Sequence, residues 1–288
     1  LSTGGVLTSA GEGARQWYAA GSPIIGATGA TYTVVAADSG VSITCRNAAG
    51  SSNAIVVPAI SHWLDQSASA LDFAQAAAGE KPKADGGAVY FAGGQGLVQG
   101  TTTVTSGATT VGMRAQLTAL PGAGDAAVLG LMAMGGNKWH LQIASALGGA
   151  YPPRAFAALL GTAVIVGVAD ALTTAEERTV ITHSGGSTTD PAAYAYYLAG
   201  VSKAVVVGGL FGLTSALGDA NALGVLPRSP GIYRLTGCIY TRVVYSAALN
   251  AAGCAALDAL LADPASTYAQ YAALGTVVCC LLPGVGWS

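Results

Sequence analysis

The side chains able to do chemistry are few. Four glutamates (Glu12, Glu80, Glu176, Glu177), three histidines (His62, His140, His183) and five cysteines (Cys45, Cys238, Cys254, Cys279, Cys280) are spread over 288 residues. Hydrolysis of a glycosidic bond needs two carboxylates flanking that bond. The one adjacent pair of glutamates is Glu176-Glu177. Neighbours on a strand point to opposite faces, and within Leu172–Arg178 the pair reads as part of a solvated loop. The sequence holds no G-x-S-x-G elbow, no H-E-x-x-H pairing and no C-x-x-C spacing, so nucleophile and metal signatures are missing. Gly93-Gly94-Gln95-Gly96 does not join a strand to a helix as a phosphate loop must. Asp219 and Asn221 offer two oxygens, against the roughly six to eight that calcium takes. No catalytic residue, cofactor or metal is assigned.

Binding chemistry is better represented. Trp139, Tyr151, Tyr194, Tyr196 and Tyr197 are candidates for contact with a glycan or a partner, because an exposed ring presents a flat apolar face beside a polar tip. On one strand Tyr194 and Tyr196 share a face and Tyr197 takes the other. The alternative is that one face is core and the other an interface. Cys279 and Cys280 point to opposite sides of a strand and cannot hold one metal together. An odd number of cysteines leaves a thiol unpaired or bonded to another chain. This makes the two candidates for inter-chain contact, with burial as small hydrophobes the other reading.

Composition narrows the class. Charged residues make up 9% of the chain, net charge is -2, and 52% of residues are hydrophobic; ordinary domains carry about 25% charge. Nucleic-acid binding through a basic patch is excluded, as is charged disorder. The most apolar runs, Ala155–Val168 and Leu274–Val285, are shorter than the ~18 residues of a spanning helix, so no membrane insertion is expected. No secretory signal is recognisable, and the start at Leu1 leaves processing or a longer N-terminus open. So little charge gives little repulsion between copies and suits a protein packed in an assembly. A GC-rich coding sequence would give the same bias toward Ala and Gly.

The elements that must carry these residues are strands. In residues 1–57, Arg15–Ala19, Thr31–Val35, Val41–Arg46 and Ala54–Val57 are rich in β-formers and separated by Gly/Asp/Ser/Pro turns, the spacing of a small sandwich. From residue 63 on, strands are expected at Thr102–Val104, Thr109–Leu117, Val128–Met134, Trp139–Ile143, Phe156–Val168, Thr179–His183, Ala193–Ala199, Val205–Gly208 and within Ile232–Ser246. One short helix near 250–262 is capped by Asn250 and lined by Cys254, Leu257, Leu260 and Leu261.

Two resemblances rest on ordered motifs. Trp17-Tyr18, Gly21-Ser22-Pro23-Ile24, Gly26–Tyr32, Ala37-Asp38-Ser39-Gly40, Ile43-Thr44-Cys45 and Asn47-Ala48-Ala49-Gly50 resemble a phage and bacterial immunoglobulin-like module, a spacer or docking unit whose Trp and Tyr are core residues. Trp63, Asp65 and Ser67, then Gln75, Lys81-Pro82, Gly87–Leu97 and Leu235–Tyr245 resemble a concanavalin-like (laminin-G-like) jelly roll. Ala92 and Gln95 stand where members often carry acidic residues, which argues against a calcium site or a polar sugar-binding rim there.

The implied fold class is all-β. It comprises an Ig-like sandwich at 1–57, a linker at 58–62, a jelly roll at 63–267, and an apolar tail at 268–288 that docks, on another subunit in one reading. The implied function is a non-enzymatic virion structural protein on the exterior of a tailed phage, as head decoration, head fibre or tail-fibre component. Its expected partners are other virion proteins, further copies in a homo-oligomer, and host-surface glycan. The alternatives are a carbohydrate-binding module of a secreted or surface bacterial protein and, third, a trimeric adhesin tip.

Overall fold

The computed structural model describes residues 6–285 apart from 10–12, 36–37, 39, 48–49, 57–58, 70–71, 76, 78–79, 86, 100–106, 134–137, 147–151, 161–162, 187–189, 212–220 and 225–233. Side chains are also left undescribed at 56, 131–133, 138–141, 156–160, 163–165 and 209–211. The expected strand at Thr102–Val104 lies outside the described residues.

The first part of the chain folds as short antiparallel strands: β1 (Val6–Thr8), β2 (Gln16–Ala19), β3 (Ser22–Pro23), β4 (Thr31–Thr33), β5 (Ser42–Asn47), β6 (Gly50–Ser51) and β7 (Ile55–Val56). β1 pairs with β4, while β3-β2-β5-β6 form a second sheet with β7 also on β5. Alternation buries Ile43 and Cys45 of β5 beside Leu7, Trp17 and Val34, because one strand face must leave water. The indole N–H of Trp17 donates to Gly29 O at 3.0 Å. Asp38 ties the next turn, accepting from Tyr32 Oη (2.7 Å) and Val35 N (2.9 Å).

Two large sheets follow. The nine-stranded sheet contains β8 (His62–Trp63), β9 (Phe73–Ala74), β12 (Leu97–Gln99), β14 (Ala126–Ala133), β15 (Lys138–Ser145), β16 (Arg154–Leu160), β17 (Ala163–Val168), β21 (Val206–Phe211) and β22 (Asn221–Leu223), in the order β21-β17-β16-β15-β14-β22-β12-β9-β8. The eight-stranded sheet contains β10 (Lys83–Asp85), β11 (Ala88–Ala92), β13 (Thr109–Leu117), β18 (Glu176–His183), β19 (Tyr194–Leu198), β20 (Val201–Lys203), β23 (Thr236–Tyr245) and β24 (Val277–Leu281). Its order is β10-β11-β23-β13-β18-β19-β20, with β24 on β23. Between the sheets pack Trp63, Phe73, Val89, Phe91, Leu97, Val111, Leu223, Ile239 and Val244. The all-β class therefore stands, as face-to-face sheets.

A third layer covers part of the outer face of the eight-stranded sheet. Helix α1 (Ala251–Ala262) starts at Asn250, whose side chain accepts from Gly253 N. Its Cys254, Leu257 and Leu261 pack on Val180, Val243 and Tyr245 with Tyr271 of α2 (Tyr268–Ala272). Gly112 makes the close approach possible: a Cβ there would meet Leu257 at 2.9 Å. No helix among the described residues is long and apolar enough to cross a membrane.

Three expectations need correction. The run Phe156–Val168 is not one strand but the antiparallel pair β16 and β17, with Arg154 opposite Val168 and Phe156 opposite Val166. A continuous apolar run reports burial, not strand number, and its two single glycines, Gly161 and Gly167, do not by themselves mark which is the turn. Glu176 and Glu177 are not in a loop; they open β18. The apolar segment from 268, given as a docking tail, supplies α2 and β24, and β24 pairs in register with β23 of its own chain and not of another subunit, Val243 opposite Cys280 and Val244 opposite Cys279.

The opening Trp63, Asp65 and Ser67 hold this last strand. Trp63 Nε1 donates to Leu282 O (3.2 Å). Asp65 Oδ1 accepts from Cys280 N (2.7 Å) and Ser67 N (2.9 Å), and Oδ2 from Ser67 Oγ (2.6 Å). A buried carboxylate satisfied by three donors is a strong local clamp.

Candidate functional site

Of the aromatic candidates, Tyr194 and Tyr196 take the alternative in which their strand face is core. Tyr194 and Tyr196 are buried, at 7% and 4% exposure, packed between the sheets with Val166, Val168 and Ile181; neither ring is available at the surface. Tyr197, on the other face, is half-buried under the helix layer. Trp139 lies on β15, but its side chain is outside the described residues, as is the whole of Tyr151. Cys279 and Cys280 are 1% and 0% exposed. The first faces the inter-sheet core and the second the helices, so alternation along β24 buries both thiols and removes them from inter-chain contact.

Where α1 and α2 stop, the outer face of the eight-stranded sheet is open, and polar and aromatic groups collect there. The registers Lys83–Tyr90, Tyr90–Cys238, Cys238–Gln116 and Gln116–Glu176 place five residues in one row across β10, β11, β23, β13 and β18. Tyr240 and Arg114 stand in the next row. Tyr240 sits beside the bulge between Arg114 and Ala115, which re-aims its ring onto the open face.

The groups on this face hold one another in place. Arg114 is clamped to Glu176 by two bonds, Nε to Oε1 at 2.7 Å and Nη2 to Oε2 at 2.9 Å. Its guanidinium carbon lies 4.7 Å from the Tyr240 ring centroid, a cation–π distance. Tyr240 Oη donates to Gln116 Oε1 (3.0 Å), and Gln116 Nε2 donates to Thr174 O (2.9 Å). The Glu176 contact raises the Arg114 pKa above its ordinary value, and burial raises that of the Tyr240 phenol; both keep the protonated form. Arg114 Nη1 has no hydrogen-bond partner. At the rim Arg178 reaches Asp258 of α1 through Nε–Oδ1 and Nη2–Oδ2 contacts of 3.2 Å. Lys83, Asp85, Arg114, Glu176, Arg178 and Asp258 sum to zero charge.

A second charged cleft, at the mouth between the sheets, is internally satisfied. Arg154 of β16 donates to both carboxylate oxygens of Glu177 on β18 and to the carbonyls of Asp170 (2.7 Å) and Ala171. Thr173 Oγ1 also donates to Glu177, at 2.7 Å, and Lys203 pairs with Asp170 at 2.6 Å. These bonds lock sheet to sheet. Breaking such a partly buried pair costs up to about 3–5 kcal/mol, so the cleft reads as structural. Among the described residues no group of three His, Cys, Asp or Glu is placed to hold a metal.

Period-2 alternation puts Tyr90 and Tyr240 on the outward phase of their strands, and that was the available signal for this face. It was missed because alternation does not say which part of an outer face a later helix covers.

No family model matches the chain, and no curated protein matches it. Among solved structures, the chain is similar to domain 4 of a GH43 extracellular arabinanase from Geobacillus stearothermophilus, in complex with arabinotriose: 18% identity, TM-score 0.43, covering 59% of this chain and 76% of that one. It is also similar to a heptameric SAP-like pentraxin from Limulus polyphemus (12% identity, TM-score 0.35, covering 59% and 81%). A third likeness is to the CBM40 of the Ruminococcus gnavus IT-sialidase (15% identity, TM-score 0.38, covering 59% and 96%).

Proposed function

We propose that this chain is a non-catalytic carbohydrate-binding β-sandwich protein and that the open face around Tyr240 takes a neutral glycan. The observation that carries the reading is the Tyr240–Arg114–Gln116 arrangement: a half-buried ring oriented by two neighbours, beside polar groups fixed by their own bonds. Such a surface offers an apolar face to the C–H side of a sugar ring and preorganised donors and acceptors to its hydroxyls. The zero local charge favours a neutral ligand. The test is affinity electrophoresis and a glycan array, with Tyr240→Ala beside the parent. A retained glycan that Tyr240→Ala loses supports the reading; a parent that retains none, or a variant that binds equally well, removes it.

A second reading is favoured by the surface. The four ion pairs Arg114–Glu176, Arg154–Glu177, Arg178–Asp258 and Lys203–Asp170 take up eight of the 26 Lys, Arg, Asp and Glu residues. Val201, Val206 and Val207, on the terminal strands β20 and β21, are 58%, 39% and 47% exposed. Valines exposed on terminal strands, where backbone groups are unpaired, favour association, which fits an exterior virion component of a tailed phage, assembled with its own copies and contacting host glycan. Light scattering tests it: an oligomer at micromolar concentration supports this reading, and a monomer counts against it.

A further inference from the structure

Beyond the open face lies a cleft of about 270 Å³ at the loop end of the sandwich, where the turn after β11, the loop from β13 to β14 and the lead into β23 meet; its walls include Gly93, Leu120, Pro121, Asp125, Arg234 and Thr236. It shares strand β23 with the open face. Thr236 precedes Cys238 of the Lys83–Glu176 row by two residues, about 7 Å along a strand.

The cleft is built for hydroxyl groups. Arg234 Nη1 donates to Gly93 O (3.2 Å), which ties the guanidinium to the cleft wall. A Cβ at Gly93, whose φ is +78°, would lie 2.9 Å from Thr236 Oγ1, so glycine leaves room for that hydroxyl. Asp125 Oδ1 accepts from Ala126 N at 2.7 Å, which orients the carboxylate. Leu120, 49% exposed, and Pro121 supply an apolar wall. A hydroxyl both donates and accepts, so adjacent hydroxyls on one ring can bridge the Asp125 carboxylate, the Arg234 guanidinium and the Thr236 hydroxyl. An anionic group would meet the carboxylate and a cationic one the guanidinium.

We propose that this cleft is an end subsite, seating the terminal sugar of a neutral oligosaccharide whose following units cross Tyr240. The inference rests on the glycan-binding reading above and adds which end of the site reads the chain terminus. Calorimetric titration with cello-, malto-, xylo-, galacto- and arabino-oligosaccharides of two to four units tests it, using Asp125→Ala, Thr236→Val and Tyr240→Ala, each checked for a parental melting temperature. Loss of one fixed hydrogen bond weakens binding about tenfold. Asp125→Ala and Thr236→Val are expected to do so for every oligosaccharide that binds. Tyr240→Ala is expected to weaken the tetrasaccharide more than the disaccharide. Binding lost with Tyr240→Ala but unchanged in Asp125→Ala and Thr236→Val overturns the end subsite and leaves the glycan reading standing. A parent protein that binds none of these sugars overturns both.

Discussion

Arg242 shows what a single residue costs this fold. It points between the sheets from β23, is 1% exposed, and its Nε and Nη1 have no hydrogen-bond partner. Desolvation pushes its pKa below the ordinary value. Space for it exists because residue 130 is glycine: a Cβ there would stand 3.1 Å from the Arg242 guanidinium carbon. Opposite Gly130 on β15 is Gln142, whose amide donates to Thr179 Oγ1 (2.8 Å) while its buried Oε1 is also unpartnered. A buried cation without a counter-charge is a penalty. Arg242→Met is therefore expected to leave stability unchanged or raise it by about 1–4 kcal/mol, read from urea unfolding. A clear loss would mean that the guanidinium is paired.

The thiols give a second prediction at this scale. Burial raises Cys238 and Cys280 from 9.0 to about 12 and Cys254 to about 11, and holds Cys279 well above its ordinary value. In the unfolded chain these thiols ionise near 9, before the folded chain releases their protons. Stability is then complete below about pH 8.5 and falls as pH rises from 9 toward 12, because the unfolded state binds fewer protons there. Urea midpoints between pH 7 and 10.5 should be flat and then decline. Ellman's reagent should find these four thiols unreactive until the protein unfolds. A midpoint that does not move above pH 9 would mean that they are not sealed from solvent.

At the scale of elements, the last strand depends on the first motif of the larger unit. Asp65→Ala removes the acceptor for Cys280 N, Ser67 N and Ser67 Oγ and leaves the buried Cys280 amide unpaired. The expected cost is about 1–3 kcal/mol, seen as faster hydrogen exchange across Val277–Leu281 than in β13. Equal protection in both strands would show that the β23 pairing alone retains β24. This dependence explains what was legible beforehand. Thr109–Leu117 carries its own alternation, and α1 its own cap and apolar stripe, so each was readable from a local window. The place of β24 was not, since its partners are a strand about 35 residues upstream and a carboxylate 215 residues away. The candidate site was legible only in kind. Tyr194 and Tyr196 lie in the inward phase of β19, and the choice between faces is made by long-range packing.

For the whole molecule, the placement of charge is the organising fact. A chain with 26 Lys, Arg, Asp and Glu residues uses two of its ion pairs, Arg154–Glu177 and Lys203–Asp170, at the mouth between the sheets. Two more, Arg114–Glu176 and Arg178–Asp258, fix the open outer face and its border with α1. The pairs act as struts, not as a field: each is closed on itself, so little potential extends beyond the Debye length of ~10 Å at 0.1 M salt. A ligand held by ring stacking and hydrogen bonds on such a surface gains nothing from long-range attraction. The affinity of the Tyr240 face for a neutral oligosaccharide is therefore expected to change less than about twofold between 50 mM and 500 mM sodium chloride, whereas a site built on net charge loses affinity steeply over that range. Calorimetric titration at the two salt concentrations checks this. A tenfold weakening at high salt would assign the ligand a charge and shift the recognising role from the tyrosine to Arg114, whose Glu176 partner would then have to be released.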